Sequence, residues 1–189
     1  MKKNNEKNLG VMIFDFIGVL MFKRDNYVTN RLVDEIDVLI GGVVNDSEFK
    51  NEVMIKYGMD EDDFEKVLKK IVDKYEPYIK LWKLLPDLRR KYKLAIINNG
   101  TALTLPLFEK KYFLKKNFDL FVSSAQERVK KPDEKIFELT VKKLEVDYHN
   151  CLFMDDNLEN CRVAEKLGMK SIWWKTKEKG FSEFKKKIK

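Results

Sequence analysis

The sequence predicts an α/β protein in which a doubly wound parallel sheet carries a small helical cap. In the second half of the chain, short apolar runs alternate with amphipathic helical patterns, as expected for parallel strands joined by crossover helices. One earlier apolar run is separated from these by a long, mainly helical stretch. We therefore predict a core of residues 9–20 and 77–189, with residues 21–76 as a cap segment inserted after the first strand.

The first strand is predicted at Val11–Phe14, where four apolar residues lead directly into Asp15. An unbroken apolar run bounded by a turn signal, here Gly18, is typical of a strand buried on both faces. A carboxylate at the end of such a strand is costly unless it is paired or bound to a metal. An ordinary turn or capping aspartate is the alternative, and this stretch alone leaves both open.

The cap segment is predicted as three helices. The first keeps helical spacing from Val28 to Leu39, and Asp46 is expected to cap the second, which ends near Gly58. The third is the clearest, because acidic residues 60–62 stand at its positive end and one apolar stripe runs along it. That stripe consists of Phe64, Val67, Leu68, Ile71, Val72 and Tyr75.

Beyond the cap segment, strands and helices are predicted to alternate. Pro86 is expected to break a helix that begins near Ile79, whereas Pro106 and Pro132 fit the first turns of two later helices. A last crossover helix is expected to stop at Gly168, a typical C-terminal cap. The remaining strands are predicted at residues 94–97, 118–122, 151–154 and 171–174.

The composition excludes several classes of protein. The net charge is +7, but the surplus gathers in residues 1–8 and 175–189, which are predicted as solvated tails. The chain has no basic, aromatic module typical of nucleic-acid binders and no apolar run long enough to span a membrane. Cys151 and Cys161 are predicted as buried thiols in a reducing compartment, which favours the cytoplasm. The oligomeric state is left open.

Polar residues follow three of the predicted strands. Asp15, Asn98 and Asp155 each stand at the end of an apolar run, and the carboxyl ends of parallel strands lie at one edge of a sheet, where ligands bind. Clustered carboxylates repel each other unless a cation lies among them, and hard oxygen ligands favour Mg²⁺. Lys131, held extended by Pro132, is a further candidate, although spacing alone does not distinguish it from a surface lysine.

Four segments of this chain resemble the four motifs of the haloacid dehalogenase-like (HAD) superfamily. In chain order they are FDFIGVL, LAIINNG, KKPDEKIF and LFMDDNLENCRVAEKLGM, and the resemblance spans nearly the whole chain outside the cap segment. The likeness is greatest to the alpha-glucose-1-phosphate phosphatase-like and epoxide-hydrolase N-domain-like branch. It implies a Rossmann-like core and a phosphatase that acts on a small phosphorylated metabolite.

The resemblance also implies roles for individual residues. Asp15 is the nucleophile that becomes an aspartyl-phosphate, and Lys131 steadies both Asp15 and the phosphoryl oxygens. Asn98 and Asn99 donate hydrogen bonds to the phosphate. Asn98 departs from the family pattern, where a serine or threonine is usual, but its amide still offers two N–H donors.

The resemblance implies Mg²⁺ as the cofactor. Asp155 and Asp156 hold the metal together with Asp15, and direct ligation by Asp156 is expected. Most HAD phosphatases carry a second aspartate two residues after the nucleophile, which acts as general acid and base. Here that position is Ile17, whose backbone carbonyl can still bind the metal but whose side chain cannot transfer a proton. Glucose-1-phosphatase-type relatives can also lack this aspartate.

Three hypotheses about function follow. The first is a Mg²⁺-dependent phosphatase for a small phosphorylated metabolite, with a sugar phosphate favoured. The second is a catalytically weak or silent domain that binds a phosphate ligand or a protein partner, and Ile17 favours it. The third is a 2-haloacid dehalogenase, which also lacks the second aspartate. Because those enzymes need no metal, the pair Asp155 and Asp156 argues against it.

Overall fold

A computed structural model describes residues 9–188 of the chain. It contains seven strands, a 3₁₀-helix at Tyr148–Asn150 and eleven α-helices within that range. The strands are β1 (Val11–Phe14), β2 (Met21–Lys23), β3 (Tyr75–Pro77), β4 (Lys93–Asn98), β5 (Leu120–Ser123), β6 (Cys151–Asp155) and β7 (Lys170–Trp173). The helices are α1 (Arg31–Ile40), α2 (Asp46–Tyr57), α3 (Glu61–Asp73), α4 (Ile79–Trp82), α5 (Leu85–Arg89), α6 (Leu105–Tyr112), α7 (Leu114–Asn117), α8 (Ser124–Glu127), α9 (Glu134–Leu144), α10 (Leu158–Lys166) and α11 (Lys177–Lys187).

Five parallel strands form the central sheet in the order β5-β4-β1-β6-β7. β1 lies in the middle, where Val11 pairs with Lys93 on one side and with Cys151 on the other. All four residues of β1 are fully buried, as expected for a strand covered on both faces. The predicted fold class, an α/β protein with a doubly wound parallel sheet, is therefore confirmed.

The two faces of the sheet bury separate apolar clusters. Because successive side chains of a strand point to opposite faces, Met12 and Phe14 pack into one cluster and Val11 and Ile13 into the other. On the second face the rings of Phe137 and Phe153 meet edge to face, with 5.1 Å between their centroids. Cys151 and Cys161 are buried free thiols, as predicted. The core thus fixes β1 from both sides and with it the position of the residue that follows.

The cap segment differs from its prediction at its ends. Helices were the only elements predicted in this segment, but β2 pairs antiparallel with β3, and this ribbon joins the segment to the core. The prediction that Asp46 caps α2 is wrong, because the side chain of Asn45 accepts the hydrogen bonds from Ser47 and Glu48. Helices α1, α2 and α3 share an apolar cluster. The division into a core and a cap domain stays a prediction.

Asp46 instead joins the cap segment to the core. Its carboxylate accepts hydrogen bonds from the hydroxyl of Thr101 and from the backbone N–H of Ala102, in the loop that follows β4. Nearby, the hydroxyl of Ser124 donates to the backbone oxygen of Val43 at 2.6 Å. The cap segment is therefore held to the core at this loop as well as through its two chain connections.

The basic C-terminal stretch is a second difference. It was predicted as a solvated tail, but α11 occupies Lys177–Lys187 and buries Phe184 completely. A Cβ on Gly180 would lie 2.6 Å from Cε2 of Trp174, so the absence of a side chain lets the helix approach this ring. The predicted N-terminal tail, residues 1–8, lies outside the described residues. The helix that begins at Ile79 ends at Trp82, before Pro86, which lies in the first turn of α5.

Candidate active site

The carboxyl edge of the sheet opens into a cavity of about 280 Å³. Asp15 follows β1, while Asn98 and Asp155 are the last residues of β4 and β6. All seven residues predicted for the site line this cavity: Asp15, Ile17, Asn98, Asn99, Lys131, Asp155 and Asp156. The structure brings them together as the parallel-strand argument requires, and their individual roles stay predictions.

Lys131 connects two of the strand-end carboxylates. Its Nζ donates to Asp15 Oδ1 and to Asp155 Oδ2, both at 2.7 Å. The three residues are almost fully buried, with 3% of Lys131, 6% of Asp15 and 1% of Asp155 exposed. A buried charge must be paired to be tolerated. Lys131 is therefore a bridge between β1 and β6 and is not a surface lysine.

Asn99 fixes the backbone of this lysine. Its Nδ2 donates to the backbone oxygen of Lys131, and its Oδ1 accepts from the backbone N–H of Lys131, both at 2.8 Å. The side chain of Asn98 makes no hydrogen bond to any residue in the described range 9–188, and its amide nitrogen lies against Gly100. The two asparagines therefore differ, since Asn99 positions Lys131 and the Asn98 amide is available to a ligand.

Asp155 is held by residues that the sequence analysis missed. Its Oδ1 accepts hydrogen bonds from the backbone N–H of Asn157 at 2.8 Å and from Nδ2 of Asn160 at 3.0 Å. Asn157 also caps α10. An asparagine that opens a helix directly after a buried strand was the available signal. With Lys131 on Oδ2, both oxygens of Asp155 are engaged within the protein.

The site is short of positive charge. Three carboxylates (Asp15, Asp155 and Asp156) surround the single ammonium of Lys131. Burial raises the pKa of Asp15 to about 7, against the opposing effect of Lys131, and the neighbouring carboxylates raise it further. Burial, followed by the charge of Asp155, also raises the pKa of Asp156. Burial lowers the pKa of Lys131, but the two carboxylates that it contacts outweigh this effect and raise it. A bound cation would offset the excess negative charge.

The oxygens available in this cluster suit Mg²⁺. Ligand atoms of Asp15, Asp155 and Asp156 all lie within 4.8 Å of one another, and an all-oxygen set is what this ion prefers. Since the oxygens of Asp155 are already engaged, Asp15 and Asp156 have carboxylate oxygens to offer. Among residues 9–188, Oδ1 of Asn160 is a buried oxygen without a hydrogen-bond partner, which fits a polar group bound beside it. The residues present therefore fit the metal.

We expect Gly18→Ala to weaken Mg²⁺ binding by about 10- to 100-fold, the range found for residues that orient metal ligands. Gly18 has φ +106°, and an added Cβ would lie 2.6 Å from Cγ of Asp156. The Asp156 carboxylate would have to move. Mg²⁺ affinity is measured by calorimetry or by the rise in melting temperature with added Mg²⁺.

Gly168→Ala is the matched control. Gly168 has φ +99°, but its added Cβ would meet only Cβ of Tyr148, at 3.8 Å. Both variants carry the same kind of backbone strain, and only Gly18→Ala crowds a metal ligand. Equal Mg²⁺ affinities for the two variants would show that Asp156 is not placed by Gly18.

The cap segment supplies the other part of the cavity lining. Its contribution is a carboxylate, a phenol and three small or apolar residues: Asp37, Tyr75, Ile40, Gly41 and Ile71. The sequence analysis missed all five as site residues, because helical periodicity shows which residues of a helix are apolar but not which element faces a cavity.

Among the helices in the described part of the chain, none has the length and apolar character needed to cross a membrane.

Comparison with known proteins places this cavity in a known fold. The profile of the family described as haloacid dehalogenase-like hydrolase matches residues 13–174. A HAD-family enzyme from Bacteroides thetaiotaomicron, solved in complex with magnesium and inorganic phosphate, has a TM-score of 0.69 and 19% identity over 87% of this chain and 93% of that chain. L-2-haloacid dehalogenase from Xanthobacter autotrophicus has a TM-score of 0.65 and 18% identity over 87% of this chain and 76% of that chain. At these identities the likeness shows the fold alone.

Two curated proteins match shorter segments. (S)-2-haloacid dehalogenase from Pseudomonas sp. (strain YL) is 31% identical over 85 residues, which are 45% of this chain and 37% of that protein. Acyl-CoA dehydrogenase family member 10 from Mus musculus is 38% identical over 58 residues, which are 31% of this chain and 5% of that protein. Both matches span much less than two thirds of the relative. The family profile covers most of the 189 residues, and the chain belongs to the haloacid dehalogenase-like hydrolase family.

Proposed function

We propose that this chain is a Mg²⁺-dependent phosphatase that hydrolyses a small phosphorylated metabolite, a sugar phosphate by preference, in the cytoplasm. The observation that carries the proposal is the buried triad Asp15, Lys131 and Asp155 beside Asp156 in one cavity. In this cluster the carboxylate of Asp15 is held in place, the ammonium of Lys131 can contact phosphoryl oxygens, and carboxylate oxygens are available to bind a metal. A solved relative of the same fold was obtained with magnesium and inorganic phosphate.

In this mechanism Asp15 attacks the phosphorus of the ester. Lys131 donates only to Oδ1 of Asp15, which fixes the orientation of the carboxylate that reacts. A bond forms between an Asp15 oxygen and phosphorus, the P–O bond to the alcohol breaks, and the alkoxide leaves. Water then hydrolyses the acyl phosphate, which releases inorganic phosphate and restores Asp15. Bound Mg²⁺, held by Asp15, Asp156 and the carbonyl of Ile17, would offset the negative charge of the phosphoryl group.

Asn98 and Asn99, at and directly after the end of β4, are proposed to serve the phosphate site. The side-chain amide of Asn98 makes no hydrogen bond to residues 9–188, and Asn98 lines the cavity. The side chain of Asn99 is engaged with Lys131, so we expect Asn99 to support the phosphate site chiefly by keeping Lys131 in place. The ammonium of Lys131 stabilises charge on the phosphoryl oxygens as they approach Asp15.

We expect a steep dependence of the phosphorylation rate on the pKa of the leaving alcohol, because Ile17 cannot protonate the departing alkoxide. Positioned proton transfer contributes about 10²–10⁴-fold. Aryl, acyl and anomeric phosphates should therefore react much faster than alkyl phosphates. Ile17→Asp should flatten the dependence and speed the poor substrates most, as measured by pre-steady-state rates over a series of esters.

Ile17→Asn is the matched control for that variant. It has nearly the shape of aspartate but cannot donate a carboxylic proton, so the steep dependence should persist. Ile17 is half-buried and lines the cavity, and melting temperatures report whether either variant disturbs the site. A shallow dependence in the natural protein would show that another residue or a water already supplies the proton.

A second candidate is a 2-haloacid dehalogenase. Two observations favour it, namely the 31% identity with (S)-2-haloacid dehalogenase over 85 residues and the absence of an acid at position 17. The carboxylate cluster weighs against it, because the negative charge of Asp15, Asp155 and Asp156 exceeds what Lys131 neutralises. A metal-free reaction at this site would leave that excess uncompensated.

A parallel substrate screen separates these candidates. Phosphorylated metabolites and 2-haloacids are incubated with the protein, with Mg²⁺ and with excess EDTA, and release of phosphate and of halide is measured. We expect Mg²⁺-dependent release of phosphate. Halide release that persists in EDTA would establish the dehalogenase instead. Binding of Mg²⁺ and phosphate without turnover of any compound would indicate the silent phosphate-binding domain.

A further inference from the structure

The cap segment places one carboxylate on the wall of the cavity. Asp37, near the end of α1, lines the same space as Asp15 and Lys131. Its side chain is 11% exposed, and its neighbours on the lining include Ile40 and Ile71, which are apolar. A carboxylate among apolar side chains interacts more strongly with a ligand than one in open solvent. Asp37 is therefore placed to act on the part of a substrate that extends beyond the phosphate.

Asp37 is held in place by two donors. Nζ of Lys74 donates to Oδ2 of Asp37 at 2.7 Å, and the hydroxyl of Tyr75 donates to the same oxygen at 2.6 Å. Among the described residues, no hydrogen bond is made to Oδ1. The carboxylate is thus fixed through one oxygen, and the other is available to a hydrogen-bond donor on a ligand.

The charges around Asp37 do not cancel. Lys74 also donates to Asp34 Oδ1 at 2.6 Å, so one ammonium serves two carboxylates and the group keeps a net negative charge. Lys74 does not line the cavity, whereas Asp37 does. Burial and the neighbouring Asp37 raise the pKa of the Tyr75 phenol, so Tyr75 stays neutral and adds no charge. The cap side of the cavity therefore presents negative charge to a ligand.

We propose that Asp37 determines substrate specificity by selecting phosphate esters whose remainder carries hydroxyl or ammonium groups and by excluding those that carry a carboxylate or a second phosphate. This inference rests on the proposed phosphatase function. A hydroxyl or an ammonium can donate to Asp37, while a second anion would be repelled and would lack a partner. The cavity, at about 280 Å³, is at the small end for ligand pockets, so the selected molecule is small.

Glycerol phosphate and phosphoglycerate, each esterified on the terminal carbon, form a matched pair for the test. They share the three-carbon chain and the secondary hydroxyl, and a CH₂OH group in one is a carboxylate in the other. Both are measured as competitive inhibitors of acetyl phosphate hydrolysis in the presence of Mg²⁺. Acetyl phosphate is too short to need the cap side, so its hydrolysis reports the phosphoryl site alone.

We expect glycerol phosphate to bind at least about 10-fold more tightly than phosphoglycerate to the natural protein. Asp37→Asn should bring the ratio of the two inhibition constants close to one, mainly by tightening phosphoglycerate. Asp34→Asn is the control. It also removes one of the two carboxylate charges that Lys74 contacts, but Asp34 does not line the cavity. This variant should keep the discrimination. Acetyl phosphate hydrolysis should stay within a few-fold in Asp34→Asn.

Two results would overturn the role of Asp37. One is equal binding of glycerol phosphate and phosphoglycerate to the natural protein. This measurement uses no variant, so a misfolded variant cannot affect it. The other is the same change in ratio for Asp34→Asn as for Asp37→Asn, which would assign the effect to overall charge. If neither acetyl phosphate nor any other phosphate ester in the substrate screen is hydrolysed, the phosphatase proposal fails, and calorimetric binding of the two compounds still tests Asp37 by itself.

Discussion

Asp15→Asn is expected to lower the rate of phosphate release by about 10⁴- to 10⁶-fold, as the loss of a central catalytic group does in other hydrolases. The amide keeps the shape of the side chain but has no charge with which to attack phosphorus. Asp15 is also the only carboxylate in residues 11–20, so no neighbour on or beside β1 can replace it. Single-turnover release of phosphate from acetyl phosphate, with saturating Mg²⁺, measures the effect.

The variant should remain folded, because Lys131 keeps Asp155 as a partner and the removal of one of three crowded carboxylates relieves repulsion. A melting temperature close to that of the natural protein therefore serves as the control. Unchanged turnover in Asp15→Asn would contradict the role of Asp15 as nucleophile, and full activity of the natural protein in excess EDTA would contradict the metal requirement.

Lys131→Met is expected to lower the free energy of unfolding of the metal-free protein by about 3–5 kcal/mol, the cost of leaving a buried charge without its partner. The substitution leaves Asp15 and Asp155 facing each other without the ammonium that now lies 2.7 Å from each. Methionine fills a similar volume, so loss of packing contributes little. Urea unfolding without metal gives the value.

Two further variants isolate the electrostatic cause. Lys131→Met combined with Asp155→Asn should recover part of the lost stability, because one of the unpaired carboxylates is then neutral. Lys74→Met is a control at a similar bridge, between Asp34 and Asp37, but Asp34 there is partly exposed and solvent can take over its charge. Lys74→Met should therefore lower the free energy of unfolding by less than Lys131→Met does. An equal loss for Lys74→Met and Lys131→Met would mean that burial of the site does not control the energetics.

Much of the fold and of the site could be predicted because both depend on patterns local to strands. Val11–Phe14 and Cys151–Met154 are short, fully apolar runs, and the residues that follow them, Asp15 and Asp155, must meet at one edge if the strands are parallel. The same logic placed Asn98. These side chains could therefore be assigned to one site from their positions at strand ends, without knowledge of side-chain contacts.

The missed features depend on contacts between distant parts of the chain. Five of the eleven residues of α11 are lysine, so the composition of this helix does not reveal that Phe184 is buried against the sheet. Asn160 holds Asp155 only because α10 begins beside the end of β6. Asp37 faces the cavity because α1 packs with α3 over the core. Single-sequence periodicity carries none of this information, since it records polarity along the chain and not which elements meet.

The central position of β1 has a consequence for the order in which the protein folds. Its pairing partners lie far along the chain, at Lys93–Asn98 and Cys151–Asp155, and long loops must close before such contacts form. The helices of the cap segment contact each other over short separations. We therefore expect α3 to gain protection in pulsed hydrogen exchange before Val11–Phe14, and simultaneous protection would contradict this order. A growing chain on the ribosome thus holds no reactive centre until β6 has been made, because only then can Asp15, Lys131 and Asp155 meet.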